Sequence, residues 1–284
     1  MGEATMQSNS DVGHDGFLDL AGLRFHYREW GEATASPIIL LHAASLSGRT
    51  YDRIADQLSD NHRVLALDQR GHGETEWAND YAWLRWVEDV EGFADALGLA
   101  SFDLVGHSMG GAVAGRFAGL HPDRVNHLIL LDAWYADIVY SPEWKHFWTL
   151  VAQLYPDDGF ASNEDFVNTF LTLFPRADAD VVEALTAMLV RDDSGRLRRP
   201  RTTDPSNTWE SQPTEDEENE LRRKVACPTL VAQAEHSEMH VAHDNQRVAA
   251  IYPNGEASVI ERAGHNLAYE HTAFTIKLIR DFVT

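Results

Sequence analysis

At 284 residues the chain is long enough to bury one large α/β core, or a core with an insertion, without a metal or disulfide staple. Its formal charge of −22 argues against nucleic acid or an anionic membrane as a partner, because both need a net basic face. A single cysteine, Cys227, excludes an internal disulfide and a thiolate metal cluster; placed before Pro228 at the start of an apolar run, it is expected to be a core thiol.

Two amphipathic strands open the chain at about Phe17 to Leu20 and Leu23 to Trp30, with Ala21-Gly22 as a tight turn between them. Short apolar runs at Pro37 to Leu41 and Arg63 to Leu67 read as parallel strands covered on both faces, separated by a helix over about Thr50 to Leu58. A helix at about Tyr81 to Leu97 leads to a buried strand at Phe102 to Val105, a sharp turn, a helix over Ala112 to Leu120 and a strand at His127 to Leu131. This alternation predicts the fold class α/β, with a doubly wound, mostly parallel sheet. From Ala133 the rhythm stops, and aromatic-rich helical segments follow at Glu143 to Tyr155, Asn163 to Phe174 and Ala179 to Val190. The expected organisation is a core of residues 1–133 and 224–284 with a helical cap at 134–223 over the strand tips; the charged, proline-bearing part from Arg191 to Arg223 reads as a loop or lid. The βα rhythm resumes at Pro228 to Ala232, with a helix near Val241 to Ile251, a strand at Ala257 to Ile260 and a last helix from about Thr272 to Phe282.

The sharp turn carries Gly106-His107-Ser108-Met109-Gly110. Glycines two before and two after the serine leave room for a strained strand-to-helix turn that pushes the hydroxyl out as a nucleophile. A serine hydroxyl needs a base within hydrogen-bond reach, and His265, directly after the last strand and following Gly264, is delivered by the sheet to the same carboxyl edge. A carboxylate must fix the imidazole tautomer, and two residues can supply it: Asp132 at the exit of a strand, or Glu238 farther out on a polar loop. The strand-end position favours Asp132. The oxyanion needs preorganised backbone NH groups, expected from Met109 and from the turn after Leu41, with Ala44 first, Ala43 as the alternative and the Ser45 hydroxyl behind them.

The order Ser108, acid, His265, together with LLHAASLSG, DQRGHGET, GHSMGG and GHN at these intervals, resembles the α/β-hydrolase fold superfamily over nearly the whole chain. The resemblance implies that the segment Asp68 to Gly73 is structural, so His72 receives no catalytic role. Two departures stand out. Ala43 replaces the family's usual glycine beside the oxyanion turn, and the stretch Ala234 to Ser237 lacks the aspartate that most relatives carry there. Branches that move the acid to the end of the preceding strand, among them acetamidomethylene succinate hydrolase and certain lactonases, place it where this chain has Asp132.

The expected reaction is hydrolysis of a small ester or lactone through an acyl-enzyme, with no metal and no cofactor; a serine nucleophile disfavours dehalogenase and epoxide hydrolase chemistry. Amide or C–C bond cleavage in a carboxylated small molecule, and a hydrolase-derived signalling receptor, are the alternatives. Trp134, Tyr135, Trp144, Trp148, Phe147 and Phe170 are expected to line the substrate pocket or to pack the insertion. Arg191, Arg196, Arg198, Arg199 and Arg201 form a basic cluster read as a loop paired with nearby acids, with a carboxylate clamp as the alternative. With no run of eighteen apolar residues and acids where a secretion signal would need basic and apolar regions, the protein is expected to be cytoplasmic, with a small-molecule substrate. Oligomeric state is left open, a homodimer included.

Overall fold

The computed structural model describes residues 13–133, 142–156, 158–198, 212–237, 239 and 244–284. Eight strands form one sheet in the order β1-β2-β4-β3-β5-β6-β9-β10. The hairpin β1 (His14–Leu20) and β2 (Leu23–Trp30) lies antiparallel at one edge, and its turn residues Ala21 and Gly22 both have positive φ, 50° and 81°, as a type I′ turn requires. The remaining strands run parallel to one another: β3 (Ser36–Leu41), β4 (His62–Leu67), β5 (Phe102–His107), β6 (Val125–Leu131), β9 (Thr229–Ala234) and β10 (Gly255–Ile260). Leu40, Leu41, Leu104, Val105, Ile129 and Val231 in the central strands are almost wholly excluded from solvent, because helices cover both faces of the sheet.

One topological fact positions the site. The chain leaves β3 for β4 on one side, then returns to place β5 on the other side of β3. At such a switch point the connections beyond the strand ends diverge and open a crevice. The segment after Leu41 and the serine after His107 therefore face each other across neighbouring strand ends.

The helices α1 (Asp52–Leu58), α2 (Trp83–Ala96) and α3 (Met109–Leu120) cover the sheet, with a 3-10 turn at Gly48–Tyr51 before α1. The short α9 (Leu267–Glu270) and α10 (Thr272–Phe282) close the chain after β10, and α8 (Asp244–Ala249) lies between β9 and β10.

Between β6 and β9 come α4 (Pro142–Ala152), α5 (Asn163–Leu173), α6 (Ala179–Ala184), a 3-10 turn at Leu185–Met188, the small hairpin β7 (Val190–Arg191) and β8 (Leu197–Arg198), and α7 (Glu215–Arg222). The helix expected over Ala179 to Val190 is shorter than its sequence suggested: the Thr186 hydroxyl donates back to the Glu183 carbonyl at 2.7 Å, and the chain tightens into the 3-10 turn. The stretch read as loop or lid from Arg191 to Arg223 contains the hairpin and α7. Thr214 and Glu217 form a capping box that starts α7, with the Thr214 NH donating to Glu217 Oε2 at 2.8 Å. α7 packs on α3. Arg116 Nε donates to the buried Glu218 at 2.6 Å, and a Cβ on Gly119 would lie 2.6 Å from the Leu221 carbonyl oxygen.

A buried polar node ties the edge hairpin to the segment after β3. Asp68 accepts hydrogen bonds from His26 Nδ1 at 2.7 Å, from the Gly48 NH at 2.6 Å and from the Glu74 NH at 2.9 Å. Burial opposes protonation of His26, but the hydrogen bond and charge of Asp68 outweigh it and raise its pKa. A raised histidine pKa contributes stability that is complete below the ordinary value of about 6.5 and is lost as pH rises through the folded-state value. The melting-temperature gap between the wild type and His26→Gln is thus expected to be larger at about pH 6 than at about pH 9. An equal gap at both would contradict the assignment.

Candidate active site

β5 ends at His107 and α3 begins at Met109, which leaves Ser108 alone at the apex with φ 53° and ψ −117°. A Cβ on Gly106 would sit 2.3 Å from the Gly110 carbonyl oxygen, and one on Gly110 2.3 Å from the Leu41 carbonyl oxygen. Only glycine lets the turn close this tightly against the end of β3. Gly110→Ala is expected to cost about 1–3 kcal/mol of stability by overpacking. It should also lower kcat/KM about 100-fold by shifting the serine on the order of 1 Å from the β3 loop, which steady-state kinetics alongside thermal melts will read.

Strain marks the same rim. Among the described residues five non-glycine positions have positive φ; two of them, Ser108 and Asp132, directly follow β5 and β6, and a third, Ser45, lies in the segment after β3. Such conformations cost of order 1–3 kcal/mol each and persist where the surroundings over-determine them, as they do at functional sites.

Ser108, His265 and Asp132 form a continuous hydrogen-bond relay. Ser108 Oγ donates to His265 Nε2 at 3.0 Å, and His265 Nδ1 donates to Asp132 Oδ2 at 2.7 Å. An ionised carboxylate accepts only, so Asp132 fixes the proton on Nδ1 and leaves Nε2 basic toward the serine. All three residues are buried. The carboxylate is itself held: the Ala234 NH donates to Asp132 Oδ1 at 2.9 Å, and Ser237 Oγ donates to Oδ2 at 2.6 Å. The loop after β9, which has no aspartate between Ala234 and Ser237, instead supplies donors to the acid at the end of β6. Glu238 lies outside the described residues.

His107, beside Ser108, donates from Nε2 to the His265 carbonyl at 2.7 Å. Burial, and after it the neighbouring His265, push its pKa down to about 3, so it remains a neutral donor that anchors the backbone of His265.

The segment after β3 faces the serine. The His42 ring braces it: Nδ1 donates to the Ala43 carbonyl at 2.8 Å and Nε2 accepts from the Gln69 NH at 3.0 Å, while Gln69 Nε2 donates to the His42 carbonyl at 2.7 Å. Burial lowers the His42 pKa and keeps that tautomer neutral. Ala44 borders the cavity above Ser108. Met109 is the first residue of α3, so its NH has no acceptor within the helix. His72 stands apart, with Nδ1 against the Arg70 carbonyl at 3.0 Å and its ring packed between His42 and Trp86.

The cavity in front of Ser108 is narrow, about 20 Å3. Leu46, Val151, Leu154, Phe170 and Phe174 are among the residues that line it. Of the aromatic residues expected there, Phe170 lines the cavity, whereas Trp148 is half-buried against the core and is not part of the wall. Trp134 and Tyr135 lie outside the described residues, and the side chains of Trp144 and Phe147 are likewise not described. Phe166, Phe170 and Phe174 recur every four residues and form one face of α5; Phe170 meets Tyr269 edge to face at 5.7 Å, joining α5 to the segment just after His265. Sequence reasoning passed over Phe174, Val151, Leu154, His42 and Gln69; only the four-residue aromatic spacing was there to signal the first.

The described arginines of the basic cluster are engaged elsewhere. Arg191 donates to the Gly195 carbonyl and Arg198 to the Asp192 carboxylate. Arg196 donates to the carbonyls of Asp158 at 2.9 Å and Gly159 at 2.7 Å. None of the three lines the cavity; Arg199 and Arg201 lie outside the described residues. Among the described residues one grouping has metal-ligand character, Asp15, His26 and Glu74, but Arg28 and Arg49 already bond Asp15, and Asp68 holds His26. That makes it an ion-pair network. None of the described helices is long and apolar enough to cross a membrane.

With the geometry established, comparison with known proteins is decisive for the family. The model of the alpha/beta hydrolase fold family matches residues 36–272. The chain belongs to this family. It is 26% identical over 292 residues to 2-hydroxymuconate semialdehyde hydrolase of Pseudomonas putida, covering 98% of this chain and 96% of that one. Other relatives match locally: a serine hydrolase-like protein of Danio rerio is 35% identical over 108 residues, 37% of this chain, and the chain spans only about a third (33%) of that relative's length. The crystal structure of E-2-(acetamidomethylene)succinate hydrolase superposes with a TM-score of 0.81 at 20% identity, over 95% of this chain and 99% of that one, a likeness in fold.

Proposed function

We propose that this hydrolase cleaves small uncharged carboxylic esters or lactones through an acyl-enzyme on Ser108. The observation that carries the reading is the relay from Ser108 through His265 to Asp132, built at the ends of β5, β10 and β6. His265 takes the proton of Ser108 as Oγ attacks the carbonyl carbon, and Asp132 stabilises the imidazolium that results. The NH groups of Ala44 and Met109 hold the oxyanion, the latter aided by the dipole of α3. His265 then returns the proton to the leaving oxygen, and water attacks the acyl-enzyme by the same route. Neither step requires a metal or organic cofactor. Residues 134–223 act as the cap, with α4 and α5 shaping the acyl site.

The lining of the cavity supports a neutral substrate. Its walls are mainly aliphatic and aromatic, and His265 is the one ionisable side chain among the described residues that line it. A second reading, cleavage of an amide or C–C bond in a carboxylated molecule, is supported by the full-length likeness to the semialdehyde hydrolase. A substrate panel separates the two. Short-chain 4-nitrophenyl esters and a lactone are expected to exceed the matched anilide and a dienone acid by about 100-fold or more in kcat/KM, because a pocket with no cation among its described lining residues leaves a carboxylate desolvated and unpaired there. Preferential turnover of the dienone acid overturns the ester reading, and so does an acylation burst followed by no turnover, which would favour a receptor.

A further inference from the structure

Asn266, next to the base in the chain, is 6% exposed, and its side-chain Nδ2 is buried without a hydrogen-bond partner among the described residues. Its backbone carbonyl is occupied, accepting the NH groups of Tyr269 and Glu270 at 3.0 Å each. Although asparagine is a favoured helix cap and Asn266 stands at the cap position of α9, its side chain makes no capping bond. Asn266 instead lines the cavity with Ser108 and His265. A buried amide donor without an acceptor is costly, and the apolar side chains that share the lining, Leu46, Val151, Leu154 and Phe170, cannot supply one. The acceptor must arrive with what binds.

We propose that Asn266 is a specificity-determining residue whose Nδ2–H donates to an oxygen acceptor on the substrate beyond the scissile ester, so that the preferred substrates are oxygenated small esters bearing an ether, keto or hydroxyl oxygen. This rests on the ester-hydrolase reading above. A site that hydrogen-bonds a substrate oxygen discriminates against the analogue with a methylene in its place, because the buried donor is then left unpaired.

The test compares two substrate pairs on the wild type and Asn266→Leu. In one pair the oxygen is in the acyl group, 4-nitrophenyl methoxyacetate against 4-nitrophenyl butyrate; in the other it is in the alcohol, 2-methoxyethyl butyrate against butyl butyrate. Intrinsic reactivity cancels when the ratio of kcat/KM values within each pair is compared between the two proteins. The expected result is a fall of about tenfold in that ratio for at least one pair in Asn266→Leu, with a similar fall in the smaller Asn266→Ala, which guards against a packing artefact. Ratios that stay the same in both pairs, or losses that are equal on both members of each pair, overturn the assignment. If the wild type hydrolyses neither butyrate ester, the ester reading itself fails and the assignment falls with it; if it hydrolyses them and the ratios do not move, only the role of Asn266 is lost.

Discussion

Ser108→Ala is expected to lower kcat by about six orders of magnitude, the scale on which loss of a serine nucleophile abolishes acyl transfer, and to leave the melting temperature within about 2 °C. The two halves of that expectation have separate physical grounds. The Ser108 hydroxyl makes one side-chain hydrogen bond among the described residues, to His265 Nε2, so removing it deprives the relay of its reacting atom. The fold has little to lose. The elbow is held by the Ser108 NH on the Leu131 carbonyl at 3.0 Å and by Gly106 and Gly110, none of which an alanine side chain disturbs. The positive φ of Ser108 is equally strained for either residue. Stopped assays with a 4-nitrophenyl ester and a calorimetric melt read both halves. Retained turnover would place the nucleophile elsewhere; a collapse in stability would show that the hydroxyl is structural.

Asp132→Asn is expected to lower kcat by about four orders of magnitude, with a smaller effect on KM. Asparagine preserves shape but offers its amide to His265 Nδ1 and so favours the tautomer with the proton on Nε2, facing the serine, where it blocks proton abstraction. The substitution also meets a second mismatch. Asp132 receives donors from Ala234 and Ser237 in addition to His265, and an NH2 group cannot accept from any of them. Some loss of stability should therefore accompany the loss of rate. Glu238→Gln is expected to change kcat by less than about tenfold. If Glu238→Gln proves the damaging change and Asp132→Asn the mild one, the acid has been assigned to the wrong strand.

What could be read in the chain and what could not divide along physical lines. Ser108 was legible because the backbone geometry of the elbow demands glycines at fixed offsets, and local demands leave local marks. The parallel strands were legible because burial on both faces makes them apolar runs. Asp132 was legible only in part: its place at a strand end could be seen, but the donors from Ala234 and Ser237 arise because β6 and β9 pair, and that pairing joins residues 102 and 105 positions apart. Helix α7 was missed although Thr214 and Glu217 carry its capping signal, since Glu215–Arg222 contains one apolar residue, Leu221, and has no amphipathic period to detect. Its stability comes from the buried pairing of Glu218 with Arg116 and Arg222, a tertiary effect. The cavity wall was harder still. The four-residue spacing of Phe166, Phe170 and Phe174 announces a face, but that Phe170 and Phe174 line the cavity and Phe166 does not depends on how α5 docks against its neighbours, Tyr269 among them. Asn266 carries no local sign at all, since an unpaired amide becomes meaningful only once everything around it is known.

The most direct test is covalent capture. The wild type and Ser108→Ala are incubated with a fluorophosphonate that mimics the tetrahedral intermediate, then digested and mapped by mass spectrometry. One adduct per chain, on the wild-type peptide that contains residue 108 and absent from the variant, is the predicted result. Labelling at another residue, or equal labelling of both proteins, would contradict the account.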